Sequence, residues 1–334
     1  MAKTLIDKLS SKSAYTEAYE AMVNWAENKE KSLELALREN PLRIVEPLGV
    51  TPDPWQADLL TCTDTNILTL CSRQSGKSST IAALALKEAL VYPHSEILLL
   101  SRSLRQSVEL LRKVKELWRG FTGGRVHRRD AWKVKSLKKE FDETGRVIEE
   151  KGWDVAAFYG SDEVRGVREK ALTHEFPNGS RITSLPGNPD TIVGFSAVTL
   201  LVIDEASRVP DSLLSVARPF LAATEQVHGR KGRLVAASTP FGKRGWFWEA
   251  YNRVMEARAK GGEEQWKLIK VTAEDCPRIS KEFLANERAE LGDLWYNQEF
   301  FCTFNNTINS VFSYDLIQAM VEDDNEEPLK LWFE

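Results

Sequence analysis

The chain has 334 residues, 42% apolar and 28% charged, with a formal net charge of −4 at pH 7. That length accommodates one large α/β domain or two smaller ones, and the composition is ordinary for a soluble globular protein. No run of 18 apolar residues is present to span a membrane, the N-terminal MAKTLIDKLSSK lacks the apolar stretch and cleavage site of a secretory signal, and Cys62, Cys71, Cys276 and Cys302 form no C-x-x-C pair. These features argue against a zinc site or a disulfide framework and for a reducing cytosol.

Residues 1–40 read as helix, ended by Pro41. Residues 41–54, with Pro41, Pro47, Gly49, Pro52 and Pro54, read as an irregular connector. A short helix opens at Pro54-Trp55-Gln56. From residue 66 strands and helices alternate: strand Asn66–Cys71, helix Lys77–Val91, strand Glu96–Ser101, helix Ser103–Trp118. Near-continuous apolar strands spaced by helices predict a mostly parallel sheet covered on both faces. Residues 120–155 are polar, basic and without a clear pattern. Arg181–Leu185 reads as a strand entered through the turn Pro177-Asn178-Gly179-Ser180. Val198–Ile203, Arg233–Ala237 and Trp266–Val271 read as further strands, and residues 280–300 as a helix.

Gly76-Lys77-Ser78 ends a segment, Cys71–Ser78, set between a strand and an Ala-rich helix. In a phosphate-binding loop, backbone N–H groups and the N-terminus of the next helix face the phosphates. Gly76 permits the close approach, Lys77 reaches the terminal phosphates, and Ser78 ligates Mg²⁺. The usual first glycine is replaced by Cys71. The apolar strand Leu200–Ile203 runs into Asp204-Glu205, where Asp204 suits Mg²⁺ and Glu205 the polarisation of an attacking water. The following strand ends in Ser238-Thr239-Pro240, hydroxyls placed to sense a γ-phosphate, or a plain strand-end turn. A basic stretch, residues 102–139, is either phosphate-facing or a solvated helix face.

Taken together, these motifs resemble the ATPase portion of tailed-bacteriophage large terminases. The family's P-loop variant S-R-Q-x-G-K-[ST] is similar to Ser72-Arg73-Gln74-Ser75-Gly76-Lys77-Ser78. Asp204-Glu205-Ala206 resembles its acidic strand end, Ser238-Thr239-Pro240 its coupling motif, Pro54-Trp55-Gln56 its upstream glutamine motif, and residues 186–196 the stretch before the acidic strand. The resemblance implies an α/β P-loop ATPase of the additional-strand, catalytic-glutamate type, with an N-terminal helical segment and a small C-terminal lid. It implies four segments: residues 1–53 (helical segment and connector), 54–245 (ATPase core), 246–305 (lid) and 306–334 (linker, with Asn309–Ser313 resembling the junction before a nuclease domain that this chain lacks).

It also implies ATP and Mg²⁺ as cofactors. Glu205, Lys77 and Arg73 would be catalytic. Gln56, Ser72, Arg73, Gln74, Ser75, Gly76, Lys77, Ser78 and Ser79 would hold nucleotide, with Gln56 on adenine. Ser78 and Asp204 would hold the metal, and Ser238 and Thr239 would couple hydrolysis to movement. Many relatives carry an arginine finger for the neighbouring subunit at the position of Val193. Here that role falls to another residue, with Arg165, Arg168, Arg181 and Arg208 as candidates, or hydrolysis is weak without partners. Arg165, Arg168, Arg181 and the basic 125–139 stretch are candidates for DNA phosphate contacts. The expected activity is ATP-driven translocation of double-stranded viral DNA into a procapsid. The alternative is a helicase-like ATPase of repair or restriction, which would need a second motor domain of about 150 residues. Expected partners are double-stranded DNA, the portal protein, the small terminase subunit and further copies of the chain in a ring, the isolated chain being monomeric. The expected place is the host cytoplasm.

Overall fold

The computed structural model describes residues 33–122, 172–190 and 192–305. The segments 1–32 and 306–334, and the candidate arginines Arg165 and Arg168 with the 125–139 stretch, lie outside the described residues. Residues 33–39 are helical. The Pro-rich connector is more ordered than its composition suggests: Pro41–Leu48 forms a 3-10 helix that buries Ile44 and Val45 and ends at Gly49 with φ +63°. Asn40 caps it, its side chain accepting the Leu42 N–H.

The strands are β1 (Asn66–Cys71), β2 (Glu96–Ser101), β3 (Thr173–Glu175), β4 (Arg181–Pro186), β5 (Leu200–Asp204), β6 (Arg233–Ser238) and β7 (Lys267–Val271). They form one seven-stranded sheet in the order β3-β4-β2-β5-β6-β1-β7, parallel except for the β3–β4 pair. That hairpin turns through Gly179 at φ +81°, with the Asn178 side chain accepting the Ser180 N–H at 3.0 Å. The helices are α1 (Pro54–Thr61), α2 (Lys77–Val91), α3 (Leu104–Thr122), α4 (Asp211–Ala217), α5 (Thr224–His228), α6 (Gly245–Lys260) and α7 (Lys281–Phe301).

The two-residue period of the strands divides the core. On one face Ile67, Ile97, Leu99, Leu200, Val202 and Val235 pack under residues of α1, α2 and α3. On the other, Leu68, Leu70, Leu98, Leu100, Leu201, Ile203 and Leu234 pack under residues of α4 and α6. Both faces are covered, which is why the central strands read as unbroken apolar runs. The fold is therefore the mostly parallel α/β sheet the sequence predicts, and β6 is the additional strand inserted between the P-loop strand β1 and the acidic strand β5.

Residues 246–271 are built into this body. The Trp246-Phe247-Trp248 aromatics of α6 are buried in the second core, with Phe247 edge-on to Trp246 at 5.8 Å, and β7 pairs in register with β1. Leu268, Ile269 and Val271 are buried while Lys267 and Lys270 are exposed, which suits a sheet edge. Of the stretch expected to form a lid, the part beyond the sheet begins after Val271. It centres on α7, which encloses a small cluster of Ala273, Leu284, Tyr296 and Phe300.

Phe247 is among the largest fully buried side chains. Phe247→Ala is expected to lower the unfolding free energy by about 3–5 kcal/mol, the usual result of emptying an aromatic core position. Equilibrium urea unfolding measures this, and a loss near zero would remove the α6 aromatics from the core.

Candidate active site

The C-terminal ends of β1, β5 and β6 come together at the N-terminus of α2, where open parallel sheets place ligands. A cavity of about 590 Å³ opens there, lined by residues 72–79 of the loop together with Arg102, Gln106, Lys113, Glu205, Arg208 and Thr239.

The loop is held by its own backbone. The Ser72 N–H donates to the Val271 carbonyl at 2.8 Å and the Arg73 N–H to the Glu299 carbonyl at 2.9 Å. Ser75 Oγ donates to the Ser72 carbonyl at 2.9 Å. Gln74 and Gly76 adopt positive φ of 61° and 93°. Glycine takes that conformation without steric cost and glutamine does not. Cys71, in place of the usual glycine, is an extended, fully buried strand residue, and burial pushes its thiol up to about 12. No turn is needed there, so a glycine is not required.

Lys77 Nζ donates to Glu205 Oε1 at 2.6 Å and lies 3.1 Å from Asp204 Oδ1. Burial works against its charge, but the two carboxylates outweigh burial and hold its pKa above the ordinary lysine value. Glu205 itself is left-handed, φ +54° and ψ +41°. Its N–H donates to Asp204 Oδ1 at 3.0 Å, and its carbonyl accepts the Arg208 N–H at 2.8 Å. Strain of this kind costs about 1–3 kcal/mol and concentrates at functional sites. Beneath it, Ser207 joins the acidic strand to the next: its Oγ lies 2.7 Å from Ser238 Oγ and donates to the Thr239 carbonyl at 2.7 Å.

The structure thus brings Ser72, Arg73, Gln74, Ser75, Gly76, Lys77, Ser78, Ser79, Asp204, Glu205, Ser238 and Thr239 to one end of the sheet. Gln56 joins them from α1: a Cβ on Gly76 would lie 3.0 Å from its Nε2. Arg181 does not join. It begins β4 opposite Glu96, with Nη2 2.7 Å from Glu96 Oε2, at the far end of the sheet. Arg208 faces its own chain's site, 3.8 Å from Glu205 Oε2 and stacked over Phe241 at 4.1 Å. Val193 lies on an exposed loop.

Two residues were not singled out from the sequence. Glu299 of α7 is buried, accepts Arg73 Nε at Oε2 (2.6 Å) and Arg208 Nη2 at Oε1 (3.3 Å), and so ties both arginines to one carboxylate. That bond is the main cause raising the Arg73 pKa. Arg278 donates from Nη2 to the Ser75 carbonyl at 2.8 Å and lies 2.8 Å from Asp53 Oδ2, linking the loop to the start of α1. Neither belongs to a recognisable motif. Glu299 follows Asn297 and Gln298 in the helix end and gives no local signal. Of the basic stretch, Arg102 and Lys113 reach the cavity wall.

The β1-loop-α2 unit, the inserted β6 and the Lys77–Asp204–Glu205 contact define a P-loop ATPase fold. Residues 68–319 match the family model "Terminase large subunit, T4likevirus-type, N-terminal", and the chain belongs to that family. Among solved structures it is similar to the large terminase ATPase domain of Thermus phage P74-26. The likeness has a TM-score of 0.51, 20% identity and coverage of 78% of this chain and 97% of that one. A mutant of the same domain gives 0.52 with the same identity and coverage. No protein of curated function matches the chain in sequence.

Glu299→Gln removes the charge that gathers two arginines while keeping the side chain's size. It is expected to lower stability by about 1–2 kcal/mol, a value discounted because Arg73 is largely exposed. Thermal unfolding with ligand-free protein checks this, and an unchanged midpoint would deny Glu299 its anchoring role.

Proposed function

We propose that this domain binds ATP with Mg²⁺, hydrolyses it, and uses the cycle to drive double-stranded viral DNA into a procapsid. The observation that carries the reading is the Lys77 ammonium set between Asp204 and Glu205 at the mouth of a cavity whose other charged walls are Arg73, Arg102, Lys113 and Arg208. This excess of positive charge suits a polyphosphate. Family membership and the fold shared with a terminase ATPase domain support the same reading.

The donor set fits the metal. A hydroxyl at Ser78 and a carboxylate at Asp204 are hard oxygens of the kind Mg²⁺ prefers. When bound, the ion would neutralise charge on the phosphate oxygens. Lys77 would exchange its carboxylate partners for phosphate, releasing Glu205 to orient and deprotonate a water. Arg73 would leave Glu299 for phosphate charge, and Ser238 and Thr239 would pass the change across to Ser207. Gln56, beside Gly76, would take the base attached to those phosphates.

The further elements belong to the same proposal: DNA held through its phosphates, portal and small-subunit partners, a ring of copies on the procapsid in the host cytoplasm, and a monomer in isolation. An arginine from a neighbouring copy would complete the site, since Arg208 is engaged within its own chain. The lid of this reading is the part centred on α7.

Steady-state ATPase measurements test the chemistry. Glu205→Ala is expected to bind ATP but to lose about 10²–10⁴-fold in turnover, and Lys77→Ala to lose binding as well. Turnover within a few-fold of wild type in both variants would sink the assignment. For coupling, Ser238→Ala in the complete terminase is expected to hydrolyse ATP within about tenfold of wild type while packaging into portal-bearing procapsids fails. Parallel losses in the two assays would assign Ser238 to hydrolysis instead.

A further inference from the structure

The Gln56 side-chain amide has one defined orientation, and two backbone groups determine it. The Asp53 N–H can only donate, and it donates to Gln56 Oε1 at 2.9 Å. The Gly76 carbonyl can only accept, and it takes the Thr80 Oγ1 hydrogen at 3.1 Å. The Thr80 oxygen is left as an acceptor, and Gln56 Nε2 donates to it at 2.9 Å. Thr80 is buried on the first turns of α2. A reversed amide would set Nε2 against the Asp53 N–H, donor against donor. A primary amide carries two N–H donors and two carbonyl lone pairs. With one of each occupied, one donor and one acceptor remain, beside the P-loop glycine.

We propose that Thr80 is a positioning residue for nucleobase selection: it holds the Gln56 amide so that its remaining hydrogen bonds match adenine and mismatch guanine. Adenine presents a donor at N6 beside an acceptor at N7, whereas guanine presents acceptors at both O6 and N7. The free lone pair of Gln56 Oε1 accepts from adenine N6 while Nε2 donates to N7. With guanine the same oxygen meets O6, lone pair against lone pair. Without Thr80 the amide is pinned at Oε1 alone and its N–H is free to swing away. The proposal rests on the reading of the cavity as a nucleotide site and of Gln56 as its base contact.

Equilibrium binding of ATP and of GTP tests it, with wild type, Thr80→Val, Thr80→Ser and Gln56→Ala compared. The readout is the ratio of the two affinities, in which any shared loss of phosphate binding cancels. Wild type is expected to prefer ATP. Thr80→Val is expected to cut that preference by about five- to tenfold, the scale of one hydrogen bond, and Thr80→Ser, which keeps the hydroxyl, to retain it. Thermal melts establish that each variant is folded, with Thr80→Ala as the second deletion variant should valine not be tolerated. A ratio in Thr80→Val within twofold of wild type overturns the proposal. So does loss of the preference in both the valine and the serine variants, which would mark Thr80 as packing. Retention of the preference in Gln56→Ala overturns the base contact and the role of Thr80 with it. Failure of the wild type to bind either nucleotide overturns the functional reading itself.

Discussion

The Lys77 ammonium is the constraint on which the arrangement turns. A buried cation is tolerated only when it is paired and hydrogen-bonded, and here the partners are the last residue of β5 and the one after it, two strands away from β1. Two strand spacings are about 9.5 Å, a gap that a lysine stem and a carboxylate arm together can bridge. The interposed β6 must therefore end in small side chains, and it does, in Ala237 and Ser238. The strained backbone at Glu205 follows from the same requirement, because a residue continuing the strand would aim its carboxylate elsewhere. The charge network thus specifies strand order, the size of the residues on the middle strand, and a costly conformation at the end of the third.

The same network reaches beyond the sheet. Arg73 of the loop and Arg208, after the acidic strand, meet at Glu299, on the last turn of α7. Arg278, before α7, grips the Ser75 carbonyl. The polypeptide after β7 is therefore connected to the phosphate-binding loop at two points, the Arg73–Glu299 ion pair and the Arg278 hydrogen bond to the Ser75 carbonyl, and at the first of them the carboxylate would compete with a polyanion for the cation. A polyanion that drew Arg73 and Arg208 away from Glu299 would loosen that contact and so link occupancy of the cavity to the placement of α7.

Much of this was legible in the residues. The central strands announced themselves because both of their faces are buried, and the lone Gly-Lys-Ser could be trusted because a strand preceded it and an Ala-rich helix followed. Asp204 and Glu205 stood out as two acids closing an apolar run. The rest depended on long-range pairing that no local pattern encodes. The Pro41–Leu48 helix was hidden by its prolines. The three-residue β3 is too short to show a period, and β7, with Leu268 and Ile269 both buried, keeps no strict alternation, so its place against β1 is visible only in the sheet. Glu299 and Arg278 sit more than 200 positions from the loop they hold. Thr80 looked like one more helical residue, because its importance lies in which of its atoms must accept.

The helix that carries Glu299 is not one rod. Gly292 interrupts α7 with φ +72° and ψ +161°. An unbroken helix of its 21 residues would be a lever of about 31 Å, and the section from Asp293 to Phe301 is one of only about 13 Å. Glu299 is thus carried on a short segment of its own, anchored at the phosphate-binding loop through Arg73, while Phe283 and its neighbours lie on the other side of the break.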